Sequence, residues 1–492
     1  MFFLSLSSLS FTSVINKLMK SLYFAAIFAA GIGGTFQYGF SISVMTSPSA
    51  FIKELVNATC VQRYNVSLEQ WQLSLIWSFM VSIYCIGGLF GVSVLLSHRK
   101  RCLLLNNIVA IIGAVLMICS QTAMSFEMIM VGRFLCGINS GVGLSAHSLY
   151  LVECAPKRLR GMVGVTVGTF ISLGKFGGQL LGISELLGTH ERWPWLLGFN
   201  GFTALVQLST LPFLPESPSF LLLDRGDRQA CEKALRRLWG NQDHSMKVEE
   251  MLQEKAAYKT LRWQLITIFV TFTTLQLCGI NAVYFYSFEV FRAAGIQPQH
   301  LRYAALGTGL CELCTSIACF MVIENMGKKV LLSRGYMGMA ATLILLTITL
   351  YLQTHISWMP YFSMVLIFIF IFFFASGPAG VSATLPGEIL TQSYKSAGYT
   401  IACTLNWSGL FVLGMLFPIL VEKLEYFCFL IFLFFCAICG LFVRFNVPET
   451  KNLTVLEIAA EFQRMHCKSE NSQRSKFTEQ NLNGTSINNT KL

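Results

Sequence analysis

Apolar residues fill long, nearly unbroken blocks along most of this chain, and polar residues gather in short stretches between them. A window of about 19 residues separates about twelve such blocks. They lie at 18–47, 71–96, 102–123, 126–151, 161–188, 195–214, 262–291, 302–324, 330–352, 358–387, 397–421 and 424–446. Each is long enough to cross about 30 Å of hydrocarbon as an α-helix, some with tilt or a break. Lipid offers no partners for backbone N–H and C=O groups, so only helices and closed barrels span it. These blocks are too long for barrel strands. The pattern predicts an all-α membrane protein.

The polar stretches organise the blocks. The longest, 215–261, is charged and helix-prone, and it divides six spans from six. This gives a short segment 1–17, a six-helix half 18–214 with an outer loop 48–70, linker helices 215–261, a second six-helix half 262–446, and a tail 447–492. The end of that tail is Ser/Asn/Lys-rich and lacks the apolar residues a packed segment needs. Met1 to Asn16 is apolar without a basic segment before it, so no cleaved leader is expected.

Charge sets the orientation. With both termini inside, about 28 Lys and Arg fall in inner segments and about six in outer loops, which is the positive-inside bias. The formal net charge of +11 is therefore a topology signal and not a nucleic-acid surface. Only 12% of residues are charged and 54% are hydrophobic, against roughly 25% charged in soluble domains. The expected partners are the lipid bilayer and a small solute, and no oligomeric state can be read. Two sequons, Asn57-Ala58-Thr59 and Asn65-Val66-Ser67, fall in the loop placed outside. The 16 cysteines scatter through apolar blocks without metal-ligand spacing and read as packing residues.

Two short signals repeat. Glu153 precedes Arg160, and Glu388 precedes Lys395, each pair seven apart; from 153 to 388 the offset is 235. Pro215-Glu216-Ser217 follows the sixth span and Pro448-Glu449-Thr450 the twelfth, with an offset from 216 to 449 of 233. Nearly equal offsets indicate a duplicated six-span unit, and paired halves around a midplane site are a transporter design. The repeated acids and bases sit at inner span ends. They form a candidate gate: Arg99, Glu153, Arg160 and Glu216 in the first half, Lys328, Glu388, Lys395 and Glu449 in the second. The alternative is that they are interfacial charges that only set topology.

Longer motifs carry a resemblance. Gly132-Arg133-Phe134, the run Tyr150 to Gly161 with Glu153, Pro156 and Arg160, Pro215-Glu-Ser-Pro218, Gln276-Leu-Cys-Gly-Ile-Asn281, Gly377-Pro378 and Val447-Pro-Glu-Thr-Lys451 stand in sequence. Over about residues 20–465 the chain resembles the facilitative sugar transporters of the major facilitator superfamily. It looks most like the subgroup with the fructose transporter, the urate transporter and member eleven, the last through Gly377 to Val381 and Glu312. The resemblance implies the major facilitator fold and a central site reached alternately from each side. It puts Gln276 and Asn281 on the seventh span, Glu312 on the eighth and Asn406 and Trp407 on the eleventh near that site, with Gln179 on the fifth. Without the resemblance, such amides also read as glue between helices.

Several positions depart from the family. Leu275-Gln276 stands for its glutamine pair, Gly168 for a fifth-span glutamine, and Glu312 for an eighth-span asparagine. Ser97-His98-Arg99-Lys100-Arg101 follows a shortened stretch in place of an Arg-x-Gly-Arg core. Ser219 and Lys328-Lys329 replace arginines, and Lys cannot form a bidentate carboxylate contact. A weaker inner lock is therefore expected.

The first span, Gln37 to Ser43, carries no acid that proton coupling would need. Passive uniport of a hexose such as fructose or glucose is expected, with urate or another polar solute as the alternative. Glu312, a lone carboxylate at membrane depth, is the candidate exception. Lys175 on the fifth span is expected to snorkel or to line water. A paralogue that binds solute without moving it is the reading from another class. No nucleotide-binding loop or nucleophile–base set is found, so neither cofactor nor enzymatic activity is expected. No ring of pore charges suggests a channel.

Overall fold

The computed structural model describes residues 22–93, 99–154, 160–239, 245–256, 261–353, 355–356, 358–451 and 453–466. Among them nine stretches are long and apolar enough to cross a membrane, and one of these, Ser393–Asn446, folds as two helices, Gln392–Leu424 and Cys428–Asn446. The fifth span, Arg160–Leu181, and the first, split into Leu22–Gly33 and Thr35–Ser43, complete the twelve. No strand occurs among the described residues. Helix ends fall within a few residues of the apolar blocks, the usual uncertainty of a boundary. "Inner" and "outer" below follow the Lys/Arg orientation.

The bundle is apolar outside as well as inside. Leu105, Ile112, Phe202, Phe269, Ile348, Phe434 and Phe445 are exposed large apolar side chains on spans. In water such a surface would aggregate; in a bilayer it is solvated by acyl chains. Burial of apolar area cannot then drive helix against helix, so close packing and buried polar contacts take over. A Cβ on Gly137 of the fourth span would lie 2.1 Å from the Tyr84 carbonyl oxygen of the second, so only glycine permits that approach. The third and fourth spans exchange amide bonds, Asn106 to the Asn139 carbonyl at 2.8 Å and Asn139 to the Asn106 carbonyl at 3.2 Å.

Three spans are broken where they meet the middle of the bundle. The first breaks at Gly34. The seventh runs as Arg262–Leu277, turns at Cys278 and Gly279, and resumes as Ile280–Phe285. Gly279 has φ +88, a left-handed value that favours glycine. The tenth runs as Met359–Ser376, breaks at Gly377 and continues as Pro378–Ile389. Broken backbone at this depth survives only where protein or a cavity satisfies it.

Two segments between spans are also helical. The segment read as an outer loop contains a helix, Ser49–Tyr64, ending at Asn65 in a left-handed conformation. The linker forms Pro218–Leu223, Arg228–Trp239 and Ser245–Ala256, which bury Leu221, Leu222, Cys231, Leu235, Val248 and Met251 together.

Candidate solute site

The breaks place polar side chains around a cavity of about 70 Å³ between the two halves. Gln276, Asn281, Glu312 and Asn406 line it, with Tyr38 and Lys175 from the first half. Gly168 also lines it, and a Cβ there would lie 3.4 Å from Gly380 Cα of the tenth span.

One wall is a chain of amides. Asn281 Nδ2 donates to Gln276 Oε1 at 2.7 Å, Gln276 Nε2 donates to Asn406 Oδ1 at 2.5 Å, and Asn406 Nδ2 donates to the Tyr38 hydroxyl at 3.3 Å. Gln276 ends one helix and Asn281 begins the next, so the turn at Gly279 brings the two amides together. Each bond leaves the second N–H of its amide, and the Asn281 carbonyl is unused. The wall therefore presents donors and an acceptor pre-aligned in one direction, which is what a polyhydroxylated solute needs in apolar surroundings.

Another part of the lining is ionic. Lys175 Nζ lies 3.0 and 3.1 Å from the two carboxylate oxygens of Glu312. Their side chains are 3% and 1% exposed, so both charges are removed from bulk water. Ser172 donates to Glu312 Oε1 at 3.0 Å and meets Ser316 at 2.9 Å. The ammonium also stands 4.1 Å from the Tyr284 ring centroid. One expectation is corrected: Glu312 is not a lone carboxylate. Of the two alternatives expected for Lys175, snorkelling or lining water, it does not snorkel; it lines the cavity, paired with Glu312. Each stood out in the sequence as a charge deep in a span, but nothing local paired the two. Tyr38, Ser172 and Tyr284 carried no comparable signal.

The remaining expected residues lie elsewhere. Trp407 sits one layer behind Asn406, edge-on to Tyr38 and Tyr84 at 5.3 and 5.2 Å, and does not line the cavity. Gln179 donates to Thr308 Oγ1 at 3.1 Å and lines a smaller outer cleft with Ser43, Ser47 and Arg302.

The repeated motifs meet in a repeated contact. Ser217 of Pro-Glu-Ser donates to Glu153 at 2.5 Å, and Thr450 of Pro-Glu-Thr donates to Glu388 at 3.1 Å. Glu388 also receives Lys328 Nζ. Glu449 accepts the backbone N–H of Lys328 at 2.9 Å and of Lys329 at 3.2 Å, capping the ninth span, while Glu216 Oε1 accepts from Ser217 N. Lys395 is buried at the start of the eleventh span. These contacts tie span ends to following segments inside one half. The side chains of Arg99 and Arg160 lie outside the described residues.

On the outer side the halves touch directly. Thr46 donates to the Tyr284 carbonyl at 2.9 Å, Tyr303 donates to Glu185 at 3.2 Å, and Arg302 donates to Ser184. On the inner side a Cβ on Gly164 would fall 1.9 Å from Thr384 Cγ2, so the tenth span rests against the fifth.

The model of the family described as "Sugar (and other) transporter" matches residues 26–462. The chain belongs to this sugar transporter family. Among its sugar transporter relatives, human solute carrier family 2, facilitated glucose transporter member 9, is 41% identical over 89% of this chain and 84% of its own length. Human member 11 is 40% identical over 89% of this chain and 92% of its own. These identities do not separate the two. Among solved structures, the proton:xylose symporter XylE bound to 6-bromo-6-deoxy-D-glucose superposes with a TM-score of 0.78 at 22% identity, covering 89% of this chain and 99% of that one. That likeness shows the major facilitator fold that sugar transporters share.

Proposed function

We propose that the chain is a facilitative uniporter of a hexose such as fructose or glucose, working by alternating access. The observation that carries this is the directed amide chain from Asn281 through Gln276 and Asn406 to Tyr38, in a cavity between the two halves. Its unused donors and acceptor suit hydroxyl groups, and the relatives are named as facilitated glucose transporters. Gln276, Asn281, Asn406 and Glu312 contact solute in this reading, while Trp407 packs against Tyr38 and Tyr84 and Gln179 lines the smaller outer cleft. Uniport is supported by the first span, where Arg133 donates to the Ser41 carbonyl at 2.7 Å and faces no carboxylate there.

The same reading takes residues 18–214 and 262–446 as the rocking units, 215–261 as their linker and 447–492 as an inner tail. Arg99, Glu153, Arg160 and Glu216, with Lys328, Glu388, Lys395 and Glu449, form the inner gate. The protein resides in the cell membrane with both termini cytoplasmic, and Asn57 and Asn65 are outer glycosylation sites.

The test is zero-trans uptake in oocytes or proteoliposomes with labelled fructose, glucose and urate in parallel. Saturable hexose uptake, indifferent to an imposed pH gradient and lost in Asn281→Ala, is expected. Surface-expressed protein that moves none of them sinks the transport reading and leaves binding without flux.

A further inference from the structure

We infer that Lys175 and Glu312 act together as the charge filter of the cavity, admitting neutral polyhydroxylated solutes and refusing anions and cations alike. This rests on the hexose reading for the identity of the solute, but not for the filter itself.

The pair is built across the halves, Lys175 from the fifth span and Glu312 from the eighth. Its bonding commits two of the cation's three donors to Glu312 and turns the ammonium toward aromatic rings. An ammonium has three donors. Two meet the carboxylate oxygens at 3.0 and 3.1 Å, and the nitrogen stands 4.1 Å from the Tyr284 ring centroid and 5.6 Å from that of Phe374. The carboxylate is differently placed. It has about four lone-pair sites, and two Lys175 contacts with one from Ser172 leave room for another donor.

Three cases follow. A hydroxyl adds to Glu312 without disturbing the pair. An anion reaches Lys175 only by displacing Glu312, which leaves a bare carboxylate beside it. A cation reaches Glu312 only by displacing Lys175. Among the described residues that line the cavity these are the only two charged ones, so no other group compensates. Unpaired charge in a poorly solvated interior is strongly disfavoured. Lys175 thus sets specificity through its charge, with two of its three donors held by Glu312.

The experiment is ligand-induced thermal stabilisation of the purified full chain, with fructose and glucose as neutral probes, glucuronate and urate as anions, and glucosamine as the cation. In the natural protein a hexose raises the melting temperature, and no charged probe does so at equal concentration. In Glu312→Gln the freed ammonium gives at least a tenfold gain in affinity for glucuronate or urate. In Lys175→Met the freed carboxylate gives a comparable gain for glucosamine and none for the anions. Charged probes that bind the natural protein as well as hexoses do, or folded single variants with unchanged affinities, overturn the inference.

Should neither single variant fold, the charge-exchanged Lys175→Glu/Glu312→Lys decides. It is expected to fold and to keep the refusal of charged probes, and failure of either overturns the inference. If the natural protein responds to no hexose while Glu312→Gln gains urate, the hexose reading falls and the filter stands.

Discussion

Two parts of the cavity lining use opposite chemistry. The amide wall, Asn281–Gln276–Asn406, is neutral and ends on one hydroxyl from the first half, Tyr38. The ionic wall, Lys175–Glu312, joins the halves by a buried ion pair. An amide can trade a protein partner for a solute hydroxyl at little net cost, because both bonds are neutral. A buried charge has no such freedom, because losing its partner exposes the full desolvation penalty. The comparison assigns the walls different work: the amides exchange partners with solute, and the ion pair stays intact and selects.

Breaking the ion pair gives the largest expected effect. Lys175→Met leaves Glu312 uncompensated and should destabilise the folded chain by about 3–5 kcal/mol. Replacing both residues by leucine removes the desolvation burden with the charge, and should recover most of that loss. Melting temperatures of the two variants in the same detergent check this. If the double variant melts no higher than Lys175→Met, the pair is not coupled and the contrast between the walls fails.

Truncating the amide wall comes next. Asn281→Ala frees Gln276 Oε1 and removes the unbonded carbonyl of the Asn281 amide. The expected loss is about 1–3 kcal/mol in solute binding, roughly 5- to 150-fold. Tyr38→Phe removes only the last link, at 3.3 Å, and should cost about 0.5–1.5 kcal/mol. Both are read as the solute concentration at half-maximal uptake, with melting temperatures near that of the natural protein. An order reversed between the two would move the solute toward the first half.

Much of this architecture was legible because lipid imposes a simple rule on sequence. Blocks of about twenty apolar residues have one interpretation, and Lys and Arg at their ends orient them. The duplication was legible in Glu153/Glu388 and Ser217/Thr450, since the contact that uses them recurs in both halves. The site was only partly legible. Gln276, Asn281 and Asn406 stood out as amides in apolar spans. Trp407 looked alike in sequence but faces Tyr38 and Tyr84 instead of the cavity, because one residue along a helix turns a side chain by about 100°. The Lys175–Glu312 contact joins positions 137 apart, and no local pattern reports which side of a span meets which. The outer helix Ser49–Tyr64 was missed because its polar composition reads as loop.

The turn that builds the amide wall offers a further test. Gly279 has φ +88, and a Cβ there would lie 2.4 Å from the Phe432 ring. Gly279→Ala adds about 1–2 kcal/mol of backbone strain and a clash that the ring must relieve. Since Gln276 and Asn281 flank this turn, hexose affinity should fall by less than in Asn281→Ala, with a slower maximal rate. An unchanged rate and affinity would show that the two amides do not depend on the turn.

The smallest effect concerns the outer segment, and it decides which end of the cavity faces outside. Asn57 and Asn65 are both exposed, Asn57 on the helix and Asn65 at its left-handed end. Thr59 of the first sequon is turned inward, bonded to the Met124 carbonyl at 3.3 Å. Neither asparagine lines the cavity, so Asn57→Gln and Asn65→Gln should leave uptake and melting unchanged. Each should remove one glycan-sized step of gel mobility, and the double variant should match protein treated with endoglycosidase. If the natural protein already runs as the double variant does, glycans no longer support the Lys/Arg orientation, and cysteine accessibility at Asn65→Cys must fix it. Labelling from the cell exterior would uphold the outer contacts of Thr46, Tyr303 and Arg302 as the external closure. Labelling only from within would invert it, and the Glu153 and Glu388 clusters would then guard the external mouth.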